Sequence, residues 1–324
     1  MSRNYMQQLY GIVKLDPHIV CSKDVLGSSV PIVVGGVPGQ LELPHAPDWS
    51  VPSKDLLRDP LRPPDAAQTW KSGDKPMRWG RPVSSPSCVS EVERMLLRFE
   101  LPESEMHGSA TRVHRGYGKW WSLFNDYLEL VTRQRRLQSV QVEGDNSNFD
   151  LFRWGADGKA DRPYDRDPQK IVIRVSSDDV ALTPVQLTRV ATFASTSTEL
   201  AIELKVQLEA YRALGAGDYR KAIIETAVAA EVALTKLIQS ALLTAQIGYA
   251  DKLLEKFRML GGRLELARIV GVHLPQIDFQ LKLVNPRNDV IHRADFANET
   301  SARQAIMATD ELLLLLWPSM WARI

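Results

Sequence analysis

The stretch "YRKAIIETAVAAEVALTKLIQSALLTAQ", residues 219–246, decides how the second half of the chain is read. It holds no Gly or Pro and is rich in Ala and Leu, the strongest helix formers. It predicts one long helix. Immediately before it, "GAGD" (215–218) is a break. Upstream, Thr183 is a good cap for Pro184, the favoured first helical residue. "TSTE" (196–199) fits a capping box that starts or restarts a helix running to about Leu214. Downstream, "ADKLLEKFRML" (250–260) predicts a helix stopped by Gly261-Gly262, followed by "RLELARIV". "PQIDFQLKLV" (275–284) leads into a further motif, and Asn298 caps a last helix through "SARQAIMATDELLLLLW". Short connections between at least five helical segments predict a compact up-and-down bundle over 183–324.

Residues 1–182 have another texture. "QLYGIV" (8–13), "PIVVGGV" (31–37), "QLELP" (40–44), "SVQVEG" (139–144), "NFDLFRW" (148–154) and "KIVIRVSS" (170–177) read as strands. "EVERMLLRFELP" (91–102) reads as a strand or a short helix. "KWWSLFNDYLELVTRQRR" (119–136) predicts a helix with Trp121, Phe124, Leu128 and Val131 on one stripe. Residues 44–88 are dense in Pro, Ser, Asp and Lys and read as a surface segment or an extended crossover. "VVGGVPGQ" (33–40) is a plain turn, not a dinucleotide fingerprint. The fold class expected is α+β: a β-rich mixed domain (1–182), then an all-α bundle (183–324).

Composition narrows the partners. With 40 basic and 39 acidic side chains the net charge is +1, so no global field attracts nucleic acid or an acidic membrane. The two cysteines, Cys21 and Cys88, form no CxxC pair, which argues against a disulfide framework or zinc site and fits a reducing cytoplasm. The scattered histidines have no ligand spacing, and Asp161, Asp165 and Asp167 with Lys170 read as a charged loop, so no metal or cofactor is expected. "MSRNYMQQLYGIVKLD" lacks the apolar core of a signal peptide, and "LLLLLW" (312–317) is too short to span a bilayer. That run is the core or dimer face of the last helix.

"NPRNDVIHRADF" (285–296) carries the chemistry. Asn285 reads as an N-cap and Pro286 as the first helical residue. That puts Arg287 and Asn288 in the first turn, where free N–H groups and a guanidinium make a phosphate site. Asn288 and His292 share a face, with Asp295 and Glu299 continuing the polar stripe if the helix persists. Val290, Ile291 and Ala294 fall on the other side. Arg287 stands about 140° around an α-helix from His292, although its length lets both reach one point. RNA brings its own nucleophile, the 2′-OH. Its cleavage needs a proton acceptor near neutral pH, which histidine supplies, and a clamp on the phosphate, which arginine supplies. Asn288 could fix the histidine tautomer or bind phosphate.

"RNDVIH" (287–292) matches R-x4-H, and the chain here resembles the HEPN superfamily of helical-bundle RNases and defence effectors. "GDYRKAIIETAVAAEVAL" (217–234) is similar to the long HEPN helix. The resemblance covers about residues 195–324. It implies a homodimer in which Arg287 and His292 of both copies meet. It also implies metal-independent RNA cleavage leaving a 2′,3′-cyclic phosphate, in bacterial antiviral defence or a toxin system.

Glu231 sits among Ile224, Ala227, Val228, Leu234, Thr235 and Ile238, and a carboxylate there needs a partner. Arg287 is the expected one, in a catalytic or a purely structural pair, whereas Glu225 is expected to pair with Lys221. "TRVHRGYGKWW" (111–121) and "RQRR" (133–136) offer an RNA-guiding surface through Arg115, Lys119, Arg133, Arg135 and Arg136, with Tyr117 or Trp120 stacking on a base. The plainer reading makes the aromatics core anchors. Two functions stand side by side: a HEPN-type ribonuclease whose N-terminal half senses a protein or phage-derived trigger, binds a partner or chooses RNA; or a non-catalytic dimerisation, nucleotide-binding or protein-binding module.

Overall fold

The computed structural model describes residues 6–46, 57–60, 71–72, 75–82, 89–134, 149–154, 160–161, 181–197, 199–293 and 297–321. The class is α+β, with a sheet in the first half and helices in the second. The chain divides into two compact units, Met1–Thr198 and Glu199–Ile324. The strands predicted at 139–144 and 170–177 lie outside the described residues, as does most of 44–88.

The strands of the first unit are β1 (Met6–Ser22), β2 (Ser29–Val34), β3 (Val37–Glu42), β4 (Lys71–Ser72), β5 (Lys75–Pro76), β6 (Gly80–Pro82), β7 (Val89–Pro102), β8 (Phe149–Trp154) and β9 (Ala160–Asp161). An antiparallel sheet runs β2-β3-β7-β1-β8-β9, with β6 also on β7 and β4-β5 a separate ribbon. The ambiguous 91–102 is therefore strand. Its neighbours Leu96 and Leu97 are both fully buried, so both faces of this central strand are covered. The β1–β7 ladder slips between Lys14 and Ile19, and Pro17 falls in that irregularity, where no ladder donor is needed.

Gly35 and Gly36 join β2 to β3 with φ of 58° and 76°, the two positive values of a type I′ hairpin. Gly35 has a second reason to be glycine. A Cβ there would lie 2.1 Å from the Arg112 carbonyl oxygen in α1 (Met106–Thr132). One on Gly116 of α1 would lie 2.4 Å from the Gly35 Cα. The two glycines let hairpin and helix meet backbone to backbone.

Helix α1 begins thirteen residues before the predicted start at 119, since apolar positions reach back through Val113, Ala110 and Met106 to the buried side. Tyr117 and Trp120 are buried, and Tyr117 stacks on Phe149 at 3.8 Å between centroids. They are core anchors and are closed to a base. The helix ends at Thr132 rather than 136. Arg133 takes the left-handed conformation (φ 57°), and the Gln134 amide exchanges two hydrogen bonds with the Val20 backbone at 2.9 and 2.7 Å.

Helix α2 (Pro184–Thr196) starts as expected: Thr183 and Gln186 form a reciprocal capping box. It packs on α1 and β2, and the Val33 N–H donates to Ser195 Oγ at 2.9 Å. "TSTE" is not a helix start. Helix α2 ends at the first residue of that stretch, Thr196, and α3 (Ile202–Gly215) begins later, after an Ala201 that makes no side-chain cap.

In the second unit, Gly217 (φ 78°) turns the chain and Asp218 caps α4 (Tyr219–Thr244) by accepting from the Lys221 N–H at 2.9 Å. Helix α4 packs on α3, on α8 (Glu299–Leu316) and on α6 (Leu260–Ile269). Ala222, Ala229, Ala230 and Ala233 of α4 and Ala302 and Ala305 of α8 are all buried, small residues on two helices that pack together. Among the described residues α4 alone is long and apolar enough to cross a membrane, and it is also the helix around which the bundle packs. The fully buried Glu203 accepts from Lys236 Nζ at 2.6 Å and Trp317 Nε1 at 2.9 Å, tying α3, α4 and the end of α8 together. Leu312 and Leu313 are core, whereas Leu315 is exposed.

Gly261-Gly262 does not stop a helix. Helix α5 (Ala250–Lys256) ends earlier, and the glycines lie in the first turn of α6, where N–H groups lack helical partners in any case. After α6 come α7 (Asn285–Asn288), α8 capped by Asn298 as predicted, and α9 (Pro318–Trp321).

Candidate functional site

The motif does not start a helix. The Asp278 carboxylate accepts from the Leu281 N–H at 2.9 Å, its carbonyl accepts from Lys282, and a π turn follows over Gln280–Val284. Asn285 is itself helical (φ −63°, ψ −51°), and its N–H reaches back five residues to the Gln280 carbonyl. Its side chain caps nothing and accepts from Gln280 Nε2 at 2.8 Å. Pro286 thus sits inside a helical run. Proline lacks an N–H and its ring crowds the carbonyl four residues back. The widened turn before it accommodates that conflict. The consequence for the site is direct: Arg287 is in mid-run, and the free N–H groups expected around it are absent. Any anion here is held by side chains.

A second π turn, Asp289–Arg293, follows α7. A helix bonded i to i+5 holds more residues in each turn than an α-helix and so rotates less per residue. Arg287 and His292 are five apart. The turn therefore narrows the about 140° that an α-helix would set between them. Asn288 and His292 remain close in angle. Val290 is buried as expected, but Ile291, expected on the same side, is 40 % exposed. The run does not continue to Glu299, which begins α8 and pairs with Arg303 at 2.7 Å. Asp295 and Ala294 lie outside the described residues.

The Arg287 Nη2 lies 3.9 Å from Glu231 Oε1 on α4, and its Nη1 donates to Asn288 Oδ1 at 3.1 Å. The side chains of Arg287 and Glu231 are 19 % and 28 % exposed, whereas His292 is exposed. Burial pushes the Glu231 carboxyl above the usual carboxylate range, and the guanidinium groups of Arg287 and Arg263 partly oppose that. Lys221 pairs at 3.9 Å with Glu209 of α3 and not with Glu225, because the helix crossing brings Glu209 nearer its ammonium.

Sequence reasoning missed Arg263. Its signal was present: Leu260, Leu264 and Ala267 are buried at helical spacing, and position 263 falls on that stripe. Arg263 Nη1 is buried with no hydrogen-bond partner among the described residues. Of the suggested RNA-guiding cations, Arg115 and Lys119 are exposed one turn apart on α1, and Arg133 is exposed at its C-terminus. Arg135 and Arg136 lie outside the described residues. No group of three or more His, Cys, Asp or Glu suited to a metal occurs among the described residues.

No protein-family model, curated protein or solved structure matches this chain.

Proposed function

We propose that the chain is a metal-independent endoribonuclease of the HEPN type. The observation that carries the reading is the Arg287–Asn288–His292 run. One guanidinium is held half-buried by Glu231 and Asn288, and an exposed imidazole follows five residues on, in a π turn that narrows the angle between them. In this reading His292 takes the proton of the substrate 2′-OH. The O2′–P bond forms and the P–O5′ bond breaks, with Arg287 neutralising charge on the phosphate oxygens. The 5′-oxygen leaves with a proton from a second imidazolium, supplied by the other copy in the homodimer that the resemblance implies. The products are a 2′,3′-cyclic phosphate and a 5′-hydroxyl. The setting is the cytoplasm of a bacterium, in antiviral defence or a toxin system. The first unit binds the trigger, a partner or RNA, with Arg115 and Lys119 as its candidate phosphate contacts.

A second reading is a non-catalytic dimerisation or binding module. What favours it is that the Arg287 guanidinium already has Glu231 and Asn288 as partners, and that net charge is only +1. His292→Ala separates the two. Because His292 is exposed, the ribonuclease reading expects loss of RNA cleavage, or of toxicity, with thermal stability and dimer mass unchanged. A variant that cleaves as wild type does removes the reading.

A further inference from the structure

We infer that Arg263 and Arg287 together form a two-guanidinium cradle for a phosphate oxyanion, with Glu231 as the resident counter-ion that the phosphate displaces. This rests on the reading that Arg287 clamps the scissile phosphate, and it adds the second cation that such a clamp needs. Three observations converge. Helix α6 packs against α4 and against the π turn that precedes Arg287, with the position of a Gly261 Cβ 3.8 Å from Val284 and 4.0 Å from Gln280 Oε1. The packing of α6 on α4 also brings Arg263 close enough for its charge to act, with that of Arg287, on the Glu231 carboxyl. Second, Arg263 stands on the buried stripe of α6 with Nη1 shut from solvent and unpartnered among the described residues. A buried donor of that kind is rare in a native protein and calls for an acceptor. Third, the charges do not balance. Arg263, Arg287 and Glu231 sum to +1, and Glu231 satisfies Arg287 only loosely, at 3.9 Å.

A phosphodiester fits this demand. Its two non-bridging oxygens accept from two planar guanidinium forks at once, which a lone carboxylate shared between two arginines does less well. The lack of free helix-terminal N–H groups around Arg287 makes the second guanidinium the available donor. Arg263 holds the ligand and takes no part in proton transfer.

The test uses the full chain carrying His292→Ala and a short fluorescent 2′-O-methyl RNA, which lacks the nucleophile. Adding Arg263→Ala is expected to weaken binding about tenfold. It should also lower the slope of log Kd against log salt by about 0.7, the loss of one phosphate contact on a single strand. Arg263→Lys keeps the charge without the fork and should recover part of the affinity. Glu231→Gln removes the competing carboxylate and should tighten binding severalfold, a readout that stands if Arg263→Ala fails to fold. Inorganic phosphate titrated against the same complex tells whether free phosphate fills the cradle as well as RNA does. Arg263→Ala that binds with wild-type affinity and salt slope overturns the proposal, as does weaker binding in Glu231→Gln. The ribonuclease reading fails separately: binding that depends on Arg263 in a wild-type protein that cuts no RNA keeps the cradle and loses the reaction.

Discussion

Replacing Arg287 and Glu231 singly and together gives the sharpest prediction from the site's geometry. Two unit charges 3.9 Å apart attract by about 4 kcal/mol at an effective dielectric of 20. Both side chains keep some exposure, 19 % and 28 %, and both lose hydration, so the net coupling expected is about 1–2 kcal/mol. The single variants should be unequal. Arg287→Ala leaves a carboxylate that burial already penalises, and should cost about 1–3 kcal/mol at neutral pH. Glu231→Gln removes that carboxylate and should be neutral or stabilising.

The pH dependence follows with a definite sign. The folded carboxyl of Glu231 titrates above its unfolded value, so its contribution to stability is present below the unfolded pKa and lost as pH rises through the folded one. Arg287 lowers the folded value, so Arg287→Ala raises it further. The deficit of Arg287→Ala is therefore largest near neutral pH and shrinks as Glu231 takes up its proton in acid. Urea unfolding of the four proteins, near pH 7 and again near pH 4, measures both effects. A coupling below about 0.3 kcal/mol, or a deficit that does not change with pH, refutes the reasoning.

Two predictions concern the scaffold. Gly116→Ala should destabilise the protein by about 1–3 kcal/mol in thermal unfolding, although alanine favours a helix by about 1 kcal/mol, because the new Cβ would lie 2.4 Å from the Gly35 backbone; a gain in stability would show that the hairpin does not press on α1. Glu203→Ala should cost about 3 kcal/mol by calorimetry or denaturant, since it leaves the Trp317 indole N–H and the Lys236 ammonium without their acceptor; a loss under about 1 kcal/mol would mean that water replaces the carboxylate.

Local chemistry was readable in the sequence wherever a residue acts on its immediate neighbours. Thr183 with Gln186, Asn298 with Ser301, the glycine pair between β2 and β3 and the unbroken alanine-rich α4 all form as their residue types require. What failed was punctuation whose meaning depends on context. Asn285-Pro286 has the form of a helix start, but Asp278 had already started the run, and a π turn absorbed the proline. Gly261-Gly262 has the form of a stop and lies inside a first turn. Tyr117 and Trp120 stand among basic residues in the sequence, yet the helix directs the aromatics inward and Arg115 and Lys119 outward.

The site was half legible for the same reason. R-x4-H is contiguous, and the partnership of Glu231 with Arg287 followed from a carboxylate on an apolar face. Arg263 reaches the pair only through the packing of α6, and its sole local trace is an arginine on a buried stripe. The π turn that narrows the angle between Arg287 and His292 depends on backbone bonding that residue types alone do not fix.

The measurement that bears most directly on the central claim is the end chemistry of RNA cut by the purified full chain in EDTA, beside the Arg287→Ala/His292→Ala protein. The account predicts fragments ending in 2′,3′-cyclic phosphate with 5′-hydroxyl partners, absent from the double variant. Cleavage that persists in the double variant, or that leaves 3′-hydroxyl and 5′-phosphate ends, would contradict it.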